Sequence, residues 1–93
     1  MIRSFKGKDA ETIWQGIPSR RVPPGIQLVA RRKLRMLNSA AGLDDLRIPP
    51  ANRLEALKGG RRGQFSIRVN DQWRICFRWK ESDAHDVEIV DYH

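Results

Sequence analysis

From Gln64 to Lys80 the chain alternates between apolar and polar side chains. Gln-Phe-Ser-Ile-Arg-Val and Trp-Arg-Ile-Cys-Phe-Arg-Trp each place an apolar residue at every second position, the period of a half-buried strand. Phe65, Ile67 and Val69 thus share one face with Trp73, Ile75, Phe77 and Trp79, while Ser66, Arg68, Arg74, Cys76 and Arg78 lie on the other with Gln64 and Lys80. Every apolar position is odd-numbered, so residues paired across the ribbon must add to an even number. The tightest such register sets Val69 opposite Trp73, with Asn70, Asp71 and Gln72 as the turn, Asn and Asp tolerating a left-handed backbone there. Arg68 then faces Arg74. Like charges opposed across a ladder are destabilising, so an anion is expected between them.

The rest of the chain supplies a second layer. Met1 to Phe5 reads as a short edge strand. Asp9 is placed to cap a helix carrying Ala10, Ile13, Trp14 and Ile17, with Gly16 near its stop and Trp14 as a core anchor. Pro24 suits the first position of a longer helix. Its apolar stripe is Ile26, Val29, Ala30, Leu34 and Leu37, surrounded by Arg31, Arg32, Lys33 and Arg35. With no acid on the helix to balance them, Arg31, Arg32 and Arg35 are expected to hold RNA phosphates or to meet an acidic partner helix. That helix ends at Asn38–Gly42; Leu43 to Leu46 makes at most one turn, Pro49-Pro50 forces an extended passage, and Asn52 to Leu57 is too short to assign. A last strand from about Asp86 to Tyr92 completes a three-strand antiparallel meander. Pairing Trp79 with Val87 leaves a loop from Glu81 to His85, sets Arg78 opposite Glu88 and Arg74 opposite Tyr92, and puts Asp91 at an apolar position against Ile75. A register slipped by two pairs Arg78 with Asp86 instead. The expected fold is α+β, two N-terminal helices on one face of a small, mainly antiparallel sheet, in a single domain spanning 1–93.

Charge adds a partner to this picture. Eighteen Lys and Arg against eleven Asp and Glu give +7 and a pI near 10.5, a balance suited to nucleic acid or an acidic protein. Between Glu11 and Asp44 there are six basic residues and no acidic one; from Glu81 to His93 there are five acids and no Lys or Arg. A single cysteine excludes a disulfide frame and a thiolate metal site, which fits a reducing cytosol. Two histidines without ligand spacing argue against zinc. No signal-peptide core or membrane-length apolar run is present, so a cytoplasmic location away from the membrane is expected. Lys58-Gly-Gly-Arg-Arg-Gly63 is a basic glycine-rich loop, but it lacks the Gly-x4-Gly-Lys-Ser/Thr spacing of a nucleotide-binding loop.

The polar face has the components for cleaving RNA through its own 2′-hydroxyl. That reaction needs a base, cations for the phosphate oxygens and an acid for the leaving oxygen. Arg68 and Arg74 fit the cationic role, helped by Lys58, with Arg61 and Arg62 in the adjoining loop. Glu55, Asp91, Tyr92 and His93 can supply proton transfer without a cofactor or a metal. Each also has a plainer reading: the arginines as solvated or bridged by Glu88 or Asp91, Tyr92 as edge packing, His93 as a frayed terminus, Glu55 as a surface carboxylate, and the basic second helix as a solvated face. By chemistry alone, RNA binding ranks above RNA cleavage.

Three stretches carry a family likeness: Asn52-Arg-Leu-Glu-Ala-Leu-Lys-Gly59, Phe65 to Trp79, and Val87-Glu-Ile-Val-Asp-Tyr-His93. They resemble the HigB branch of the RelE toxin superfamily. The resemblance implies a toxin of a type II toxin–antitoxin module that cleaves mRNA in the ribosomal A site. It also implies a HigA-like helix-turn-helix antitoxin, with ribosome and mRNA as further partners. By position it implies catalytic roles for Lys58, Arg74, Asp91, Tyr92 and His93. Glu55 stands where some members have histidine; either Glu55 is the base, or Asp91 or His93 must be. The alternatives are a non-catalytic basic module binding RNA or a repressor partner through the same face, and a toxin that has lost activity.

Overall fold

In the computed structural model, which describes residues 1–91, the alternating ribbon forms as β2 (Phe65–Arg68) and β3 (Trp73–Lys80). Ile67 pairs with Ile75 and Arg68 with Arg74, the expected register. The turn, however, is made differently. None of Asn70, Asp71 and Gln72 is left-handed; instead the Asn70 side-chain oxygen accepts from the Gln72 and Trp73 backbone N–H groups at 2.9 and 2.7 Å. Side-chain acceptance replaces the unusual backbone angle.

The last strand departs further. Strand β4 runs Asp83–Asp91, entered by a two-residue turn at Glu81 and Ser82 with φ 53 and 65°, the geometry of a tight hairpin. The five-residue loop to His85 is not formed. Ala84 and Val87 are both fully buried although one is even-numbered and the other odd. Both reach the core because a β-bulge inserts one residue: Asp86 (φ 52°) and Val87 together oppose Phe77. Beyond it Cys76 faces Glu88, Ile75 faces Ile89, Arg74 faces Val90 and Trp73 faces Asp91. The preferred pairings Trp79–Val87, Arg78–Glu88, Arg74–Tyr92 and Ile75–Asp91 are thus replaced. Past the bulge the chain follows the register slipped by two, while Arg78 itself opposes His85. Tyr92 and His93 lie outside the described residues.

Two further segments extend the sheet. Glu55–Ala56, unassigned from sequence, is strand β1, antiparallel to β2 and giving the order β1-β2-β3-β4. On the far side Ile2 and Phe5 bridge β4 in parallel. Asp83 ties that segment down, accepting from the N-terminal ammonium at 3.1 Å and Arg3 Nε at 2.9 Å. The Arg3 bond first, then the terminal ammonium, holds the Asp83 carboxyl below the usual range.

The helices cover the odd-numbered face. Helix α1 (Lys8–Trp14) starts one residue before Asp9, from Gly7 at φ 81°. Asp9 is therefore in the first turn, and its carboxylate accepts from Ser19 Oγ at 3.0 Å rather than capping. Trp14 packs partly buried against the core, whereas Ile17 falls past the helix and is exposed. Helix α2 (Pro24–Ser39) begins at Pro24 as expected and buries Ala30, Leu34 and Leu37 against Ile67, Ile75, Phe77, Val87 and Ile89. Each Leu, Ile, Val or Phe side chain of this set contributes roughly 1.5–3 kcal/mol on leaving water.

Short 3-10 turns at Leu43–Arg47 and Pro50–Asn52 carry the chain from α2 to the sheet. Asn52 fastens both, fully buried, with its Nδ2 donating to the Leu46 carbonyl at 3.1 Å and its Oδ1 accepting from Lys33 Nζ. Asn52→Ala leaves that carbonyl without this donor and should cost about 1–3 kcal/mol, lowering Tm by roughly 4–24 °C in a domain of this size. Calorimetry of the variant checks this; an unchanged Tm would show that the turns hold without Asn52.

Candidate functional site

The sheet face turned away from the helices is built on one row of residues across all four strands. Glu55 pairs with Ser66, Ser66 with Cys76, and Cys76 with Glu88. Ser66 and Cys76, at the centre, are fully buried, so the sequence's polar face is not uniformly solvated. Guanidinium groups and the chain from Arg53 to Gln64 lie around this row.

Arg74 is the most constrained of these cations. Its Nε donates to Ser66 Oγ at 2.8 Å and an Nη2 hydrogen to the Arg53 carbonyl at 2.7 Å. The Glu55 carboxylate stands 3.6 Å from the same nitrogen. Its side chain keeps only 12% of its exposure, against 52% for Glu55. The Arg53 carbonyl is available because Arg53 adopts the left-handed conformation, φ 45°, at the end of its 3-10 turn. Three partners on two chain segments, residues 53–55 and β2, hold one guanidinium plane, which an ammonium cannot reproduce.

The anion expected between Arg68 and Arg74 is not how the structure relieves their opposition. The two side chains diverge: Arg68 pairs with Asp71 of the turn, while Arg74 reaches the other way to Ser66, Arg53 and Glu55. Arg68 also lies near α2, where burial first, then the charges of Arg32 and Arg68, lowers the Lys33 pKa. The basic helix and the sheet therefore share one cationic corner. Arg32 and Arg35 on α2 are exposed. Arg31 belongs elsewhere, folded into a cleft with Ile13, Gly16 and Leu28; a Cβ on Gly16 would come within 3.2 Å of its guanidinium.

The glycine-rich loop forms a 3-10 turn at Gly59–Arg61, with Lys58 exposed at its start and Arg62 exposed at its end. Arg61 leans back over the sheet, donating to Glu88 at 3.0 Å and Gln64 at 3.2 Å. Asp91 sits apart from this group. Its position opposite Trp73 puts it on the parity of the helix-covered face, and Gln72 Nε2 donates to it at 3.1 Å. The structure thus brings Glu55 to Arg74 and leaves Asp91 at the strand's end. Among the described residues no group of three or more His, Cys, Asp or Glu could hold a metal ion, and no helix is long and apolar enough to cross a membrane.

Ser66, Arg53 and Glu88 were not among the residues singled out for function. Ser66 had one visible signal, a small hydroxyl residue between Phe65 and Ile67 on the arginine side of the ribbon. Arg53 acts through its backbone, for which the sequence has no signal.

Cys76 lies beneath this cluster. Burial pushes its thiol pKa up, and Glu88 adds to the rise while Arg61 and Arg74 oppose it. At neutral pH the thiol should resist iodoacetamide in the native protein and react only as fast as the chain unfolds. Mass spectrometry with and without denaturant tests this, and rapid native labelling would contradict it.

The sequence and the fold are similar to those of known toxins. The family model for the RelE-like toxin of the type II toxin–antitoxin system HigB matches residues 3–93. Toxin HigB-1 of Vibrio cholerae is 41% identical over 85 residues, 90% of each chain. Endoribonuclease HigB of Proteus vulgaris is 31% identical over 93 residues and the full length of both. In structure, the YoeB–YefM toxin–antitoxin heterotetramer of Staphylococcus aureus includes a chain that superposes with a TM-score of 0.61, covering 100% of this chain and 98% of that one. At 13% identity that likeness shows the fold alone.

Proposed function

This chain belongs to the HigB-like family of RelE-like toxins of type II toxin–antitoxin systems, and on that premise we propose that it is an endoribonuclease that cleaves mRNA in the ribosomal A site. The observation that carries the proposal is Arg74, clasped by Ser66, the Arg53 carbonyl and Glu55 on the uncovered sheet face. A guanidinium pre-positioned in this way meets a phosphate without reorganising, which is the condition for electrostatic stabilisation of a charged transition state. The name of the Proteus relative supports the reaction class.

The step runs without a metal. The 2′ oxygen forms a bond to phosphorus as a base removes its proton, and the bond from phosphorus to the 5′ oxygen breaks as an acid protonates the leaving group. The products are a 2′,3′-cyclic phosphate and a 5′-hydroxyl. Arg74 holds the non-bridging oxygens, with Lys58 and Arg68 adding positive charge. Glu55 is the preferred base, because it already stands beside Arg74. His93 is left for proton transfer to the leaving group and Tyr92 for stacking on a base, with Asp91, on the parity of the covered face at the end of β4, the weaker candidate for that proton.

Arg32, Arg35 and Arg62, exposed on α2 and the glycine-rich loop, are assigned to rRNA phosphates; Arg61 must leave Glu88 to join them. Arg31, tucked against α1, is the weakest member of that set. A HigA-like helix-turn-helix antitoxin is the proposed inhibitor, and the cytoplasm the place of action.

Arg74→Ala should lower the cleavage rate on mRNA-programmed ribosomes by about 10²–10³, the range for losing one oxyanion donor, with circular dichroism unchanged. Retention of full activity would remove Arg74 from the site. Deleting Tyr92 and His93 should abolish growth arrest while the protein stays folded, and protein stripped with EDTA and desalted before it meets the programmed ribosomes should cleave as before and leave the same 2′,3′-cyclic ends. A fully toxic truncation, or loss of cleavage by the EDTA-stripped protein, would refute the corresponding assignment.

A further inference from the structure

A second cationic site lies on the same face, at the far end of β3. Arg78 has the parity of Arg74 on this strand, and at about 3.3 Å per residue the two stand roughly 13 Å apart. Beside Arg78 is a cleft of about 440 Å³ whose lining includes Lys80, His85, Trp79 and Asp86. The guanidinium is held next to the glycine-rich loop, since a Cβ on Gly63 would come within 3.0 Å of Nη1.

Its ionic partner is loose. Arg78 Nε stands 3.7 Å from Asp86, with the two side chains 48% and 53% exposed, a pair of the kind that contributes little in water. Lys80 is exposed and adds a second positive charge. Asp86 is there because the bulge turns it outward with φ 52°. A phosphate can displace so weak a carboxylate, and the imidazole of His85, paired across the ladder with Arg78, gives flat surface for a ribose or base.

We propose that Arg78 and Lys80 hold a backbone phosphate of the same RNA strand whose scissile phosphate sits at Arg74, so that β3 sets the path of the mRNA. The proposal rests on the ribonuclease reading and adds a subsite to it. Along a stacked strand phosphates recur at about 3.4 Å, and more widely in an extended one, so 13 Å places the held phosphate about two to four nucleotides from the cut. RNA is favoured over an acidic protein because Arg74 and Arg78 lie in line on one strand face.

The test walks a single neutral methylphosphonate along the mRNA, from one to five nucleotides on each side of the cleavage position, using ribosome-programmed substrate. Wild-type protein should lose about fivefold in kcat/KM at one position two to four nucleotides away, the size of one partly exposed ionic contact. Arg78→Ala should show no further loss at that position, and Lys80→Ala a reduced one. Circular dichroism confirms that both variants fold. An equal loss in wild type and Arg78→Ala, or a flat scan with cleavage intact, overturns this subsite and leaves the ribonuclease reading standing. Absence of cleavage of unmodified mRNA by the wild-type protein overturns both. A flat scan accompanied by loss of antitoxin binding in Arg78→Glu gives the cleft to the protein partner instead.

Discussion

Burial of Ile67, Ile75 and Ile89 in one row beneath α2 fixes which way the side chains of β2, of β3 and of β4 beyond its bulge must point. Side chains alternate along a strand, so once those three face the helices, Ser66, Arg74, Cys76, Arg78 and Glu88 face away from them. A slip of one residue would send arginines into the core at several kcal/mol each and isoleucines into water. The uncovered face therefore has its cations as a consequence of packing on the covered one. Its catalytic reading depends on the same constraint.

Against that frame, the arginines differ in how firmly they are held. Arg74 has two short hydrogen bonds and a carboxylate and keeps little exposure. Arg61 makes a closer ion pair with Glu88 but comes from a loop. Arg78 has the longest and most exposed pair, with Asp86. Each is matched by a carboxylate of the sheet: Glu55 of β1, Glu88 of β4 and Asp86 of β4 respectively. The face is thus screened from self-repulsion, and under the proposed function a polyanion displaces Glu88 from Arg61 and Asp86 from Arg78 while Glu55 stays beside Arg74. Such exchange makes binding dependent on salt and on the order in which the weaker pairs open.

The bulge at Asp86 links fold to site. It corrects the parity of β4 so that Ala84 and Val87 both reach the core. The same residue turns a carboxylate outward to Arg78 and holds its backbone N–H on Ser4 Oγ at 2.9 Å, fastening the N-terminal segment. One inserted residue therefore sets the core, the edge and the far end of the cationic face. Bulges are found beside functional sites for this reason: they re-aim side chains without interrupting the sheet.

Much of this was determined by sequence alone. The alternation of Phe65 to Trp79 specified two strands, their register and the opposition of Arg68 to Arg74, because a period of two admits one buried face. Pro24 and the spacing of Ala30, Leu34 and Leu37 specified α2 and its covered side, and the Asn52–Gly59 and Val87–His93 stretches carried the family. Local pattern did not contain the rest. The β4 register needed a bulge, which shifts parity and is invisible to a rule that assumes constant alternation. Strand β1 is two residues long and exists only because β2 offers it a partner. The neighbours of Arg74 come from residues 53, 55 and 66, and one of them is a carbonyl presented by a left-handed backbone. Tertiary structure decided these features, because hydrogen bonds between distant segments depend on where the backbone runs, while periodicity records only which side of it meets water.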